Sequence, residues 1–399
     1  MEQAYHILTG AKRLEDVPMS GIRVIMNKSA ALRKEGYPVI SFGAGEPDFN
    51  TPEPVKQAAI KALLENHTHY GANWGQLELR KEIAKKLLKD TGTDYDPEKE
   101  ILVTCGGAEG IHDVIMSAVD PGDEVIVFKP GFVSYEAVLK LAGGKIINCN
   151  LRPELDFQID LEQVEALITD RTKMIIINNP NNPTGVVYKK ELLAGLAKLA
   201  GAYNILIFSD EIYGNLTYDE AEFISMAAFP DMKQRTVVVS GFSKTYAMTG
   251  WRLGYVAAPY EMMQTIVKEH QYVSTSLPTF LQIGVARSMN LPETLAQMER
   301  MRTEFARRRQ KMLSSLDSME KLSYVKPRGA FYCMVNVSET GMSGEEFADR
   351  LLAEKYVATV PGACFGEHCG NFVRFSFTAS DEAITEGLNR LRDFLLSLC

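Results

Sequence analysis

The sequence predicts an α/β fold: a mostly parallel, seven-stranded sheet sandwiched by helices, with a smaller α+β domain attached. Three observations predict it. Between about residues 100 and 260, seven short β-branched runs alternate with longer segments of helical periodicity. The runs are almost continuously apolar, with no in-out alternation, which is how strands covered on both faces read. The chain also has 399 residues, more than one hydrophobic core usually organises, so a second lobe is expected.

In chain order the strand candidates are Ile101-Leu-Val-Thr104, Glu124-Val-Ile-Val-Phe128, Lys145-Ile-Ile147, Met174-Ile-Ile-Ile177, Ile205-Leu-Ile-Phe208, Thr236-Val-Val-Val239 and Leu253-Gly-Tyr-Val-Ala-Ala258. Helical stretches such as Asp160 to Ile168 and Lys189 to Tyr203 supply the crossovers of a parallel sheet. Only eight residues separate Lys244 from Leu253, too few for such a crossover, so the last strand is expected to run antiparallel. Residues 290 to 320 read as one charged helix whose basic run, Arg307-Arg-Arg309, forms a solvated face without function. From Phe331-Tyr-Cys-Met-Val-Asn336 onward strand and helix patterns alternate again, and the segment before Gly43 is expected to join that lobe. The predicted division is a large domain over residues 46–288 and a small one over residues 1–45 and 289–399.

Composition narrows the function. The chain is 46% hydrophobic and 24% charged, and its 43 basic and 51 acidic residues give a net charge of −8. That charge argues against a nucleic-acid or anionic-membrane partner, and no apolar run approaches the length of a membrane span. Six cysteines without CxxC spacing, and a charged Met1 to Gly21 without an apolar leader core, point to a reduced, cytoplasmic setting. His67 and His69 have no companion ligands in sequence, so they read as a polar loop and no metal is expected.

Several segments carry chemistry. In Ser240-Gly-Phe-Ser243-Lys244-Thr-Tyr-Ala-Met-Thr-Gly-Trp-Arg252 a lysine follows an apolar strand. Such a lysine can form a Schiff base with an aldehyde cofactor, while Ser243 and Arg252 can grip a phosphate. Asp210 ends a strand candidate, with Tyr213 three residues on. By itself a carboxylate there reads equally as a helix N-cap. Asn178-Asn-Pro-Asn-Asn182-Pro-Thr-Gly185 follows another strand and by itself reads as a tight turn. Gly106, Gly107 and Ala108 lie between a strand and a helix, where backbone N–H groups make a ready phosphate site. Phe132, in Pro130-Gly-Phe, reads equally as core packing, and Arg374, in Val373-Arg-Phe-Ser-Phe377, as a surface or edge residue.

Taken together and in order, these segments resemble the class I/II pyridoxal-phosphate-dependent aminotransferases of fold type I, over roughly residues 20 to 380. The pattern is most similar to their prokaryotic aspartate and aromatic branch. The resemblance implies that Lys244 tethers pyridoxal 5'-phosphate and shuttles the substrate Cα proton. It implies that Asp210 keeps the ring nitrogen protonated, that Tyr213 and Asn182 bond the ring's phenolic oxygen, and that Phe132 stacks on the ring. Gly106, Gly107, Ala108, Ser243 and Arg252 then hold the phosphate, joined by Tyr70 of Tyr70-Gly71 reaching across a two-fold homodimer with shared sites. Arg374 clamps the substrate α-carboxylate beside Asn182 and the Gly45 backbone of Gly43-Ala-Gly-Glu-Pro-Asp48.

The implied activity is transfer of an amino group from an L-amino acid (aromatic, neutral or aspartate) to a 2-oxo acid such as 2-oxoglutarate, by a ping-pong mechanism. A carbon–sulfur lyase on the same scaffold is the alternative. In aspartate-specific relatives a lysine directly follows the glycine pair; here Ala108 and then Glu109 stand there. Pro18-Met-Ser-Gly-Ile-Arg23 is similar to the broad-range aromatic members, so an aromatic or neutral donor is expected.

Overall fold

The computed structural model describes residues 10–17 and 19–398; residues 1–9, Pro18 and Cys399 lie outside them. After a two-residue strand β1 (Ile40–Ser41), the seven apolar runs become β2 (Ile101–Thr104), β3 (Glu124–Lys129), β4 (Lys145–Asn150), β5 (Thr172–Asn178), β6 (Leu206–Asp210), β7 (Thr236–Gly241) and β8 (Gly254–Ala257). They form one sheet in the order β2-β8-β7-β6-β5-β3-β4. All neighbours are parallel except β8, which runs antiparallel to both β2 and β7, as the short connection after Lys244 requires. β2, β3, β7 and β8 are buried along their whole length, the signature of strands covered on both faces.

Local chemistry sets the helix ends. Asp160 precedes the helix Leu161–Ala166 and accepts from the Gln163 N–H at 3.3 Å, so it caps the helix where the periodicity had placed it inside. The helix after the glycine pair starts at Gly106, within the pair itself, and runs to Ala118. The order of β5, β6 and β7 aligns their carboxyl ends: Asn178 lies opposite Asp210, and Asp210 opposite Val239. In open α/β sheets that edge is where ligands bind.

The remaining strands are β9 (Ser323–Tyr324), β10 (Tyr332–Asn336), β11 (Val357–Ala358), β12 (Val360–Pro361) and β13 (Phe372–Ser376). β9, β10, β12 and β13 make an antiparallel sheet, while β11 pairs in parallel with β1, so segments from both ends of the chain share structure. One core packs Phe305, Phe331, Val373 and Phe394 around these strands; others line the two faces of the large sheet.

The basic run 307–309 corrects an expectation. Its helix, Pro292–Leu316, leaves Arg307 exposed but buries Arg308 and Arg309. These two lie three and four residues beyond the buried Phe305 and therefore share its face. Arg309 donates to the Pro327 carbonyl at 2.6 Å and forks onto Asp219 at 2.7 and 3.2 Å. Arg308 pairs with Asp48 at 2.7 Å and donates to the Thr378 carbonyl at 3.0 Å. Among the described residues no helix is long and apolar enough to cross a membrane.

Candidate active site

A cavity of about 520 Å³ opens at the carboxyl edge of the large sheet, walled on the far side by β10 and β13. Gly45, Gly107, Ala108, Phe132, Asn182, Asp210, Tyr213, Ser243, Lys244, Arg252 and Arg374 all line it. Residues spread over 330 positions of sequence thus converge because each sits just past a strand end or in a strand of the smaller sheet. Gly106 lies directly behind this lining. A Cβ there would stand 2.7 Å from Arg252 Nη2, and its φ is +71°, so a side chain is excluded on both counts.

Asp210 is buried, with a donor on each oxygen: the Tyr135 hydroxyl at 2.6 Å and the Ile212 N–H at 3.1 Å. Burial pushes its pKa up to about 6, against the pull of Tyr135, Ile212 and Lys244. Lys244 shows the complementary shift. Burial lowers its ammonium to about 8, Glu46 opposes that change, and Arg374 and Arg252 reinforce it. Its Nζ donates to the Gly45 carbonyl at 2.6 Å. Two titratable groups pushed toward neutrality in one cleft mark a site of chemistry rather than of packing.

Arg374, in β13, is fully buried. It donates to Asn182 Oδ1 and to the Gly43 carbonyl, both at 3.0 Å. The Tyr332 and Phe365 rings lie 4.3 and 4.8 Å from its guanidinium carbon. Its Nε has no partner. A buried guanidinium lining a cavity, with one donor unmatched, suits a carboxylate, since a buried charge without a counterion is costly. Asn182 is itself fixed, its N–H donating to Asn178 Oδ1 at 2.7 Å while Asn178 Nδ2 donates to the Asp210 carbonyl at 3.1 Å.

At the other end, Gly107, Ala108, Ser243 and Arg252 surround the start of the helix Gly106–Ala118. Cys105 offers that helix no side-chain cap, and Arg252 lies across the gap, donating to the Thr249 carbonyl at 3.0 Å. Helix-start amides, a hydroxyl and a guanidinium form a donor set that fits a phosphate.

One expected residue stands apart: Tyr70 is 90% exposed and does not line the cavity of its own chain. Other residues had escaped the sequence. Tyr135 is one, three positions after Phe132 and legible only by that spacing. Tyr332 is another, its hydroxyl 3.0 Å from that of Tyr213. The outer wall adds Ser20, Ile22, Arg23 and Met26 from the helix Gly21–Lys34 and the residue before it. His67 Nε2 stands 3.5 Å from Glu65, and the His67 and His69 carbonyls accept from the Thr279 hydroxyl at 2.5 and 3.2 Å.

A family model described as "Aminotransferase class I and II" matches residues 37–391. The aspartate aminotransferase of Pyrococcus abyssi is 39% identical over 383 residues, covering 96% of this chain and 97% of its own. Aromatic-amino-acid aminotransferase 2 of Thermococcus litoralis is 38% identical with the same coverage. Among solved structures, an aspartate aminotransferase from Thermus thermophilus with maleate superposes with a TM-score of 0.92 at 36% identity, covering 96% of this chain and 99% of that one.

Proposed function

The chain belongs to the class I and II aminotransferases and is a transaminase, and from that premise we propose that it works with pyridoxal 5'-phosphate carried on Lys244. The observation that carries the reading is the opposed pair in one cavity: a lysine lowered to about 8 and a buried aspartate. When bound, the cofactor supplies a carbonyl for the amino group and a ring that accepts electrons from the substrate Cα.

The chain's residues do the rest. Arg374 receives the α-carboxylate on its guanidinium and sets Cα toward Lys244, with Asn182 and the Gly45 backbone bordering it. The Lys244 amine, whose lowered pKa of about 8 leaves both its neutral and its protonated form populated near that pH, removes the Cα proton as a base and returns it as an acid. Asp210 holds a proton on the ring nitrogen, and Tyr135 and Ile212 keep its carboxylate oriented. Tyr213 and Asn182 donate to the phenolic oxygen, Phe132 covers a ring face, and Gly106, Gly107, Ala108, Ser243 and Arg252 hold the phosphate. Because one arginine serves the α-carboxylate of donor and acceptor alike, the two half-reactions take turns in one site, which is ping-pong kinetics.

Several finer readings belong to the same proposal. The relatives named above act on aspartate and on aromatic amino acids. Ile22, Met26, Ile111 and Phe132 give this cavity apolar surface beside Ser20 and Arg23, and we read that surface as taking an aromatic or neutral donor, with a 2-oxo acid such as 2-oxoglutarate as acceptor. The exposed Tyr70 fits a homodimer in which it completes the neighbour's phosphate site. The division into domains over 46–288 and over 1–45 with 289–399, and a cytoplasmic location, complete the proposal. The lyase alternative has no support from the relatives and is set aside.

The test is a panel of amino acids added to the cofactor-loaded protein without any oxo acid. Bleaching of its visible band by aromatic amino acids, with release of the matching oxo acid, is expected. Accumulation of pyruvate and ammonia from a cysteine conjugate, with the band unchanged, would contradict transamination.

A further inference from the structure

Behind the proposed phosphate site lies a buried cluster of three ionisable groups that takes no part in the mechanism above. Glu109 and Asp113 project from the helix Gly106–Ala118, and His270 from the helix Tyr260–Val273 packed beside it. All three are buried. His270 Nδ1 stands 3.4 Å from Glu109 and 3.4 Å from Asp113 Oδ2, while its Nε2 stands 3.0 Å from the Asn73 carbonyl. Every group facing the ring is therefore an acceptor. A neutral imidazole carries one hydrogen and would turn a lone pair toward either the carbonyl or two carboxylates. Nδ1 makes no hydrogen bond of good geometry to either carboxylate, but two negative charges 3.4 Å away favour the imidazolium. Burial opposes that charge, but Asp113 and Glu109 outweigh it and raise the pKa to about 9.

This cation joins three pieces of the site. Glu109 accepts from the Cys105 N–H, the residue before the first turn of the phosphate helix, and from the Ser274 hydroxyl. Asn73 belongs to the segment that follows Tyr70, and its side chain donates to the Thr275 carbonyl at 2.8 Å. The other charges nearby are His112, 3.3 Å from Asp113 Oδ1, Glu269, 3.9 Å from His112, and Arg252, which donates to the Cys105 carbonyl at 3.4 Å. Without the imidazolium, two carboxylates would stand within the first two turns of a helix whose N-terminus must attract a dianion.

We propose that His270 is a positioning residue for the cofactor phosphate: its imidazolium anchors Glu109 and Asp113, so fixing the helix start at Cys105–Ala108, and cancels the negative charge behind it. The proposal rests on the reading of Gly106, Gly107, Ala108, Ser243 and Arg252 as the phosphate site. A bound metal is the competing occupant of the same three side chains. It would bind the same His270 Nδ1 that the imidazolium holds protonated, so metal and proton exclude one another there.

Binding of inorganic phosphate, pyridoxal phosphate and pyridoxal to the cofactor-free protein tests it, for wild type and His270→Gln, alongside metal analysis of the purified wild type. His270→Gln is expected to weaken phosphate and pyridoxal phosphate roughly tenfold while leaving pyridoxal unchanged, and adding Glu109→Gln is expected to recover most of the loss. Should His270→Gln fail to fold, Asp113→Asn, which removes one negative charge, is expected to tighten phosphate severalfold. Unchanged phosphate affinity, an equal loss for pyridoxal, no tightening in Asp113→Asn, or stoichiometric metal would each overturn the proposal. A wild type that prefers pyridoxal phosphate no more than pyridoxal would instead overturn the phosphate site itself.

Discussion

The two ends of the cavity are built on different principles. The proposed cofactor end is made of short segments at the carboxyl edge of the large sheet: Gly106 after β2, Asn182 after β5, Asp210 closing β6 and Lys244 after β7. Asp210 and Asn182 are buried and cross-bonded, with donors on both oxygens of Asp210 and Asn182 tied through Asn178, while Lys244 is half-buried and Arg252 exposed. The proposed substrate end draws Ser20, Ile22, Arg23 and Met26 from one helix start, Ile111 from a second helix and Tyr332 and Arg374 from the smaller sheet. Apart from Arg374, Tyr332, Ser20 and Arg23 that wall is apolar, and Arg23 and Met26 are exposed. A rigid polar frame fixes one reaction, and an apolar wall of assorted origin lets the side chain of the substrate vary.

Substitutions at the two ends should therefore differ in size and in kind. The largest effect is expected at Lys244→Ala, which removes both tether and proton carrier; transamination should fall on the order of 10⁴-fold or more in single-turnover kinetics. Asp210→Asn comes next, with a loss on the order of 10²- to 10⁴-fold and the cofactor still bound. The same substitution should raise stability in the cofactor-free protein. The folded-state pKa of Asp210 is raised to about 6, so its carboxyl keeps a proton that the unfolded chain has released. Stability then falls as pH rises from about 4 to about 6 and stays lower above, and the neutral amide removes a penalty on the order of 1–3 kcal/mol. Thermal melting of the two cofactor-free proteins at pH 5 and pH 8 checks the sign.

Arg374→Met should cut kcat/KM for every L-amino acid by roughly 10²- to 10³-fold, whatever the side chain, since it removes a buried charged donor common to all of them. Uptake of pyridoxal phosphate by the cofactor-free protein should accelerate with pH and level off above about 8, as Lys244 loses its proton; the gain between pH 7 and pH 9 is about tenfold. The smallest effect is expected at Ala108, in the phosphate helix start but one turn before Ile111 of the outer wall: Ala108→Lys should raise kcat/KM for aspartate only severalfold and leave aromatic donors nearly unchanged. A large loss with aromatic donors would show that the outer wall is as rigid as the cofactor frame.

This contrast also explains what was legible in the sequence. The cofactor end is local: each residue follows an apolar run within a few positions, so strand and motif could be read together. The antiparallel β8 followed from counting residues after Lys244. Tyr135 and Tyr332 escaped because their partners, Asp210 and Tyr213, are 75 and 119 residues away, and nothing nearby marks the pairing. The same distance hid the burial of Arg309, whose carboxylate partner Asp219 lies 90 residues upstream. His270 was silent for a related reason, since its meaning lies in two carboxylates and a carbonyl from other segments.

The most direct test of the account is to load the purified protein with pyridoxal phosphate, reduce it with borohydride and map the modified peptide by mass spectrometry. The account expects a single phosphopyridoxyl group on Lys244, absent after Lys244→Ala. A label on another lysine, or none on a folded protein saturated with cofactor, would contradict it.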